Sequence, residues 1–221
     1  MTIAAVEKPR IVVLASGSGS NLQRLIEVSR ERDFPGEIVA VGSNRPKAFA
    51  LERAAQAGIE TFVVDHTRYS ERVEYDGYLR AEIERRSPDL VVLAGYMRIM
   101  TAEMVNAFHG RMLNIHPSLL PKYAGLNTHA RALEAGDSEH GVTIHFVTED
   151  LDGGPVIAQA GIRIRPEDTP ESLREKVQAR EHELYPIIVR WFCEGRIQLK
   201  DDTVTFDGQP LEKPFLLPAE A

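Results

Sequence analysis

The feature that most narrows the fold is a series of short, largely apolar runs rich in β-branched residues, each followed by a helix-like stretch. IVVLA (11 to 15), EIVAVGS (37 to 43), IETFVV (59 to 64), DLVVLAG (89 to 95) and RMLNI (111 to 115) have this character. Strands that are apolar on both sides belong in a parallel sheet covered by helices on both faces. The intervening stretches are helical in pattern, as in NLQRLIEVSRER and in AFALERAAQAG, where Gly58 follows as a C-terminal stop. The alternation predicts the α/β class, with a doubly wound, mostly parallel, Rossmann-like sheet in a single domain over 1–221.

After residue 115 the texture changes. HPSLLPKYAGLN reads as a long functional loop, followed by a short helix THARALEAG and an alternating strand GVTIHFV. PVIAQAGIRIR predicts another strand, ESLREKVQAREHELYPIIVRWFCEG a long helix, and IQLK with TVTFDGQPL a terminal hairpin. Repeats, low-complexity tracts and interdomain linkers are not evident.

The formal net charge of −7 argues against general nucleic-acid binding, which needs a clustered excess of Lys and Arg. An anionic ligand must then be held by local features. No apolar run reaches the length of a membrane span, and the N-terminal MTIAAVEKPR lacks the pattern of an export signal. The single cysteine, Cys193, cannot form an internal disulfide, which points to the cytoplasm; it reads as a small buried apolar residue. The exposed charges leave a homodimer open.

Between the first strand and helix lies Ser16-Gly17-Ser18-Gly19-Ser20-Asn21. Glycines let the backbone turn tightly, and a helix N-terminus offers unpaired N–H groups and a positive dipole end to a phosphate. Two readings stay open on these residues alone: a phosphate site, or a plain βα turn with a Ser or Asn cap. A dinucleotide fingerprint is disfavoured, since Leu22 stands where its third glycine belongs and the second strand ends in Ser43-Asn44 without an acidic residue. A P-loop is excluded by the missing Gly-Lys-Ser/Thr. A single phosphomonoester fits better than either.

Asn114 and His116, in NIHPSLLP, project to the same side near the C-terminal end of the fifth strand, where ligands bind in open parallel sheets. A carboxamide donor beside an imidazole suits an oxyanion developing on an attacked carbonyl. Asp152, in LDGGP, is presented by a sharp turn; its plain role is turn formation. His116, His129, His140 and His145 invite a metal reading, but neither His-Glu-x-x-His nor a cysteine cluster accompanies them, and no metal is expected.

Taken together, SGSGSN, NIHPSLLP and LDGGP resemble the folate-dependent formyltransferase family, in the branch that acts on glycinamide ribonucleotide, over nearly the whole chain. NIHPSLLP alone is also similar to methionyl-tRNA formyltransferases, formyltetrahydrofolate hydrolases and sugar-nucleotide formyltransferases, which usually add a domain or lack this phosphate loop.

The resemblance implies 10-formyltetrahydrofolate as co-substrate, neither ATP nor metal, and formyl transfer to the ribonucleotide amine in purine biosynthesis. It implies a phosphate-binding half over about 10–95 and a catalytic and folate-binding half over about 96–221. Asn114, His116 and Asp152 would be catalytic, Asp152 favouring the cationic form of His116. Gly19, Ser20 and Asn21 would hold the phosphate, with Gln178 and Glu181 contacting the ribonucleotide. Arg72, Tyr96, Met97, Arg98, Ile99, Met100 and Asn114 would meet the folate. His145 faces the site or is a satisfied core histidine. Ala124 and Asn127 depart from the bacterial pattern, in which proline and histidine are common there, and this puts a catalytic role for position 127 in doubt. A non-catalytic phosphosugar-binding module is the rival of a different class.

Overall fold

Residues 7–218 are described by the computed structural model. The N-terminal residues 1–6, part of the stretch scanned for an export signal, lie outside them. Strands β1 (Arg10–Leu14), β2 (Glu37–Ser43), β3 (Glu60–Val63), β4 (Leu90–Leu93) and β5 (Met112–His116) run parallel in the order β3-β2-β1-β4-β5. Helices α1 (Ser20–Ser29), α2 (Phe49–Gln56), α3 (Arg72–Glu84) and α4 (Ala102–Ala107) make the crossovers.

Period-two alternation within each strand sends neighbouring residues to opposite faces, and both faces are apolar. Val13, Val92 and Leu113 pack in a layer with Leu22, Leu25 and Ile26 of α1, whereas Val12, Leu14 and Val91 pack with Tyr75, Leu79 and Ile83 of α3. Each fully buried aliphatic side chain contributes about 1.5–3 kcal/mol. This two-sided burial is why the central strands β1 and β4 are apolar from Ile11 to Leu14 and from Leu90 to Leu93.

Beyond β5 come α5 (Thr128–Glu134), β6 (Glu139–Phe146), β7 (Val156–Arg163) and the long helix α6 (Pro170–Cys193). β6 is antiparallel to both β5 and β7. The predicted terminal hairpin is a separate three-stranded sheet of β8 (Ile197–Lys200), β9 (Thr203–Phe206) and β10 (Gln209–Pro210). An unforeseen strand, β11 (Phe215–Leu217), adds to the main sheet parallel to β7. Its three residues are too short for a periodic signal.

α6 begins with a capping box between Thr169 and Ser172 and carries Pro at its first position, so its start is well specified. On its buried face the Tyr185 hydroxyl is shared between the carbonyl oxygens of Leu93 (3.0 Å) and Leu113 (3.1 Å). This ties α6 to the C-terminal end of β4 and to the adjoining β5. Arg174, Gln178 and Glu181 continue the same helical stripe at spacings of four, three and four to Tyr185, and so face the strand ends.

Candidate active site

The strand order reverses between β1 and β4, and a crevice opens at that switch point. The loop after β1 and the segment after β4 are bonded across it: Ser16 N–H donates to Gly95 O (3.1 Å) and Met97 N–H to Ser16 Oγ (2.7 Å). Ser16 Oγ in turn donates to Asn44 Oδ1 (2.6 Å), so the end of β2 helps hold the loop.

Gly19 caps α1 at φ 70°, in the left-handed region, and a Cβ there would lie 2.7 Å from the Ala50 Cβ. Glycine is therefore required twice over, by conformation and by the close approach of α2. The first turn of α1 turns towards a cleft of about 290 Å³ lined by the whole Ser16–Asn21 loop. Gln178 Nε2 donates to Ser20 Oγ (2.9 Å) and Asn21 Nδ2 to Glu181 Oε2 (2.8 Å), so α6 closes the opposite wall. Burial holds the Glu181 carboxyl above the ordinary carboxylate range, opposed by the Asn21 hydrogen bond.

Arg45, His129 and Arg174 also line this cleft, and sequence reasoning assigned none of them to it. Arg45 and Arg174 sit in stretches that read as solvated surface. For Arg174 a signal did exist: it lies one turn before Gln178 on the stripe that includes Glu181. His129 Nδ1 is 2.9 Å from His140 Nε2, with the rings edge to face.

A second cavity of about 90 Å³ lies on the other side of the β4 and β5 ends, lined by Tyr96, Arg98, Ile99 and Met100 and by the loop from Val147 to Asp152. Five of the seven residues expected at the folate thus border one cavity, Asn114 among them. Met97 does not: it is 56% exposed and lines the first cleft, its backbone N–H held by Ser16 Oγ on that side. Arg72 is exposed at the start of α3 and lines neither cavity. Of this loop only Leu151 and Asp152, in LDGGP, were singled out, since Thr148-Glu149-Asp150 reads as an ordinary solvated turn.

Asn114, His116 and Asp152 meet at the edge of the second cavity, which Asn114 and Asp152 line, while Ile115 and Pro117, on either side of His116, line the first cleft. Asp152 adopts φ 53°, and a Cβ at Gly154 would lie 1.8 Å from Phe146 O, so the two-glycine turn brings Asp152 over β6 where other residues could not follow. Holding a non-glycine residue there costs about 1–3 kcal/mol, consistent with a functional position. Asp152 Oδ2 lies 3.3 Å from His116 Nδ1 and accepts Gly125 N–H at 2.8 Å; its Oδ1 accepts from Asn114 Nδ2 at 3.4 Å. His116 Nε2 lies 2.9 Å from Tyr123 O. Both ring nitrogens of His116 therefore face oxygen acceptors, an arrangement satisfied in full by the imidazolium.

His145, opposite Asn114 in the β5–β6 ladder, faces this cluster. Its Nδ1–H donates to Phe146 O (2.8 Å), leaving Nε2 to accept from Asn114 Nδ2 (3.1 Å). Burial lowers its pKa, keeping the ring neutral and this acceptor available. The Asn114 amide is thereby fixed with its NH2 turned to the reaction side. Asn127 lines neither cavity and caps α5 in the left-handed conformation. Burial pushes the Cys193 thiol up to about 12 as it packs near Gly36, in keeping with its expected apolar role.

An amide-lined anion cleft and a largely apolar cavity, joined by a hydrogen-bonded Asn, His and Asp at strand ends, define a group-transfer site of the acyl-transfer kind. The chain belongs to the formyl transferase family, whose model matches residues 9–189. It is 49% identical over 201 residues to the phosphoribosylglycinamide formyltransferase of Escherichia coli (strain K12), covering 91% of this chain and 95% of that one. With the enzyme of the same name from Haemophilus influenzae it shares 46% over 204 residues, 92% and 96% of the two chains. The solved phosphoribosylglycinamide formyltransferase of Coxiella burnetii matches with a TM-score of 0.91 at 48% identity, over 96% of this chain and 100% of that one. Glycinamide ribonucleotide transformylase 1 from Symbiobacterium toebii matches at 0.86 and 43%, over 90% and 94%.

Proposed function

We propose that this enzyme transfers the formyl group of 10-formyltetrahydrofolate to the amine of glycinamide ribonucleotide, giving N-formylglycinamide ribonucleotide and tetrahydrofolate in purine biosynthesis. The observation that carries the reading is the position of Asn114, His116 and Asp152 at the seam between a phosphate-type cleft and a cavity bordered by Ile99 and Met100.

In this reading the α1 amides, Gly19, Ser20 and Asn21 hold the phosphate, and Gln178 and Glu181 meet the ribose. Binding energy remote from the reaction orients the neutral amine against the formyl carbon. With both substrates bound, Asn114 Nδ2 keeps its hydrogen bond to His145 and exchanges the long one to Asp152 Oδ1 for the oxygen on which charge develops, and the His116 Nε2–H turns to that oxygen from Tyr123 O. Asp152 balances the charge of His116. Collapse returns the pair of electrons to the folate nitrogen, and the proton lost by the amine is passed on through His116 or a water. Atoms and charge balance without a nucleoside triphosphate or metal.

The residues bordering the second cavity suit a flat heterocycle, but about 90 Å³ is small for a pteridine with its side chain. The 147–152 loop, with Leu151 exposed, therefore moves outward as the folate enters. No helix among the described residues is long and apolar enough to cross a membrane; the lone reduced cysteine supports the cytoplasm as the place of reaction.

The test is absorbance of a 10-formylfolate analogue with and without glycinamide ribonucleotide. Turnover that depends on the ribonucleotide is expected. Formate release in its absence, at the same rate, would replace the transferase with a hydrolase, and no turnover with ribonucleotide binding intact would leave a phosphosugar-binding module.

A further inference from the structure

We propose that His140 is a positioning residue for the first cleft, fixing the tautomer of His129 so that the His129 Nε2–H points towards the bound phosphate. The proposal rests on the reading of that cleft as a phosphate site.

His129 stands on the first turn of α5 and lines the cleft together with Arg45, Arg174 and the amides of the α1 loop. Its Nδ1 is committed to His140 Nε2 at 2.9 Å, which leaves Nε2 for the cleft. His140 is fully buried on β6, with the Tyr123 ring edge-on to it, so it cannot turn away. Burial lowers His140 to about 4 and also lowers His129, whose shift is reinforced by the charge of Arg174. Near neutral pH the two rings are therefore uncharged and share one hydrogen.

That hydrogen can belong to either ring. If His129 donated it, its Nε2 would present a lone pair to a cleft built from cations and N–H groups, and would repel an anion. If His140 donates, His129 must carry its own hydrogen on Nε2 and adds a directed donor to the phosphate. Only the second arrangement agrees with the rest of the wall.

Long-range 15N NMR of the imidazoles reads the tautomer directly, with the His129 signals assigned by their loss in His129→Asn. In the unaltered protein His129 is expected as the Nε2–H form, with Nε2 shifting on addition of ribose 5-phosphate. His140→Leu removes the donor; His129 should then populate both tautomers, the Kd for ribose 5-phosphate should rise about tenfold, and the loss in turnover should sit in the ribonucleotide KM. His140→Gln, whose amide can donate from a similar position, should recover most of the loss.

A His129 that carries its hydrogen on Nδ1, or an Nε2 indifferent to ribose 5-phosphate, overturns the proposal, as does a His140→Leu protein that is folded and binds normally. Should His140→Leu fail to fold, the parent spectrum and His140→Gln still decide it. Ribose 5-phosphate binding and tautomer state need no folate. A protein with the locked tautomer and no formyl transfer would keep this assignment and lose the functional one.

Discussion

The two cavities open at the same strand ends but are made from different kinds of chain. The first is walled by a glycine-bearing βα loop and a long, capped helix whose Arg174, Gln178 and Glu181 form one stripe. The second is walled by single residues after β4 and by the 147–152 loop, with Leu151 and Ile99 exposed at its rim. A remote phosphate is best gripped by a preorganised wall, because its binding energy is used to orient the amine. A bulky co-substrate that must enter and leave on each turnover suits a wall that can move. Asp152, at the end of the 147–152 loop, lies 3.3 Å from His116 and accepts from Asn114 of β5 at 3.4 Å, so in the proposed reading a loop displaced by folate would carry one member of the catalytic group with it and couple the two.

That coupling is broken most severely at Asp152. Asp152→Asn retains size and can still accept the Gly125 N–H, but removes the charge beside His116. Turnover should fall by at least about 100-fold, the scale of a general acid/base contribution. Ribonucleotide binding by calorimetry should stay within about threefold. Near-normal turnover would return Asp152 to turn formation alone and detach the second cavity's loop from the chemistry.

The contrast sharpens at Gly19. Gly19→Val forces a β-branched residue into the left-handed region and against Ala50, moving the α1 amides. Ribonucleotide affinity should drop at least about tenfold, whereas a folate analogue, titrated alone, should bind as before. Equal losses would mean that the two walls do not act separately.

The same difference decided what could be read from the amino acids. The parallel sheet was legible because burial on both faces leaves strands such as Ile11–Leu14 without polar positions, and the tight loop after β1 because Gly19 is obligatory in type. Asn114 and His116 were legible as neighbours through strand alternation, whereas the meeting of Asp152 with them, like the roles proposed for all three, came from the family resemblance. Residues that acquire meaning only by tertiary approach were not legible. His129 becomes part of the cleft through His140, eleven residues on, and Arg45 through the convergence of β2 on α1. Nor does local pattern tell that Met97 and Tyr96 line different cavities, since they are neighbours in the same irregular segment after β4.

Glu181 probes the rigid wall by a milder change. Its carboxyl is held above the ordinary range by burial, so the folded protein binds that proton more tightly than the unfolded chain does. As pH rises through the unfolded carboxylate range, near 4.3, towards the raised value, the folded state loses stability relative to the unfolded. Glu181→Gln removes that loss. Its Tm should exceed the parent's at neutral pH, with the advantage fading below the unfolded range, while the ribonucleotide KM rises by about tenfold as a charged acceptor is lost. A Tm difference independent of pH would remove the carboxyl from this role.

The smallest effect is expected at Arg72, where the family resemblance and the geometry pull apart. The resemblance implies a folate contact, yet the side chain is exposed on the first turn of α3 and borders neither cavity. A cation at a helix N-terminus opposes the helix dipole, so nothing in the fold itself favours arginine there. Any contact with a folate carboxylate would be made across solvent, where an ion pair contributes ~1 kcal/mol or less and is screened by salt. Arg72→Ala should therefore raise the folate KM by no more than about fivefold at low salt, with kcat and ribonucleotide binding unchanged and the difference shrinking as salt is added. A salt-insensitive loss larger than this would mean that Arg72 is drawn into the second cavity when the folate binds, and would extend its movable wall from the 147–152 loop to the start of α3.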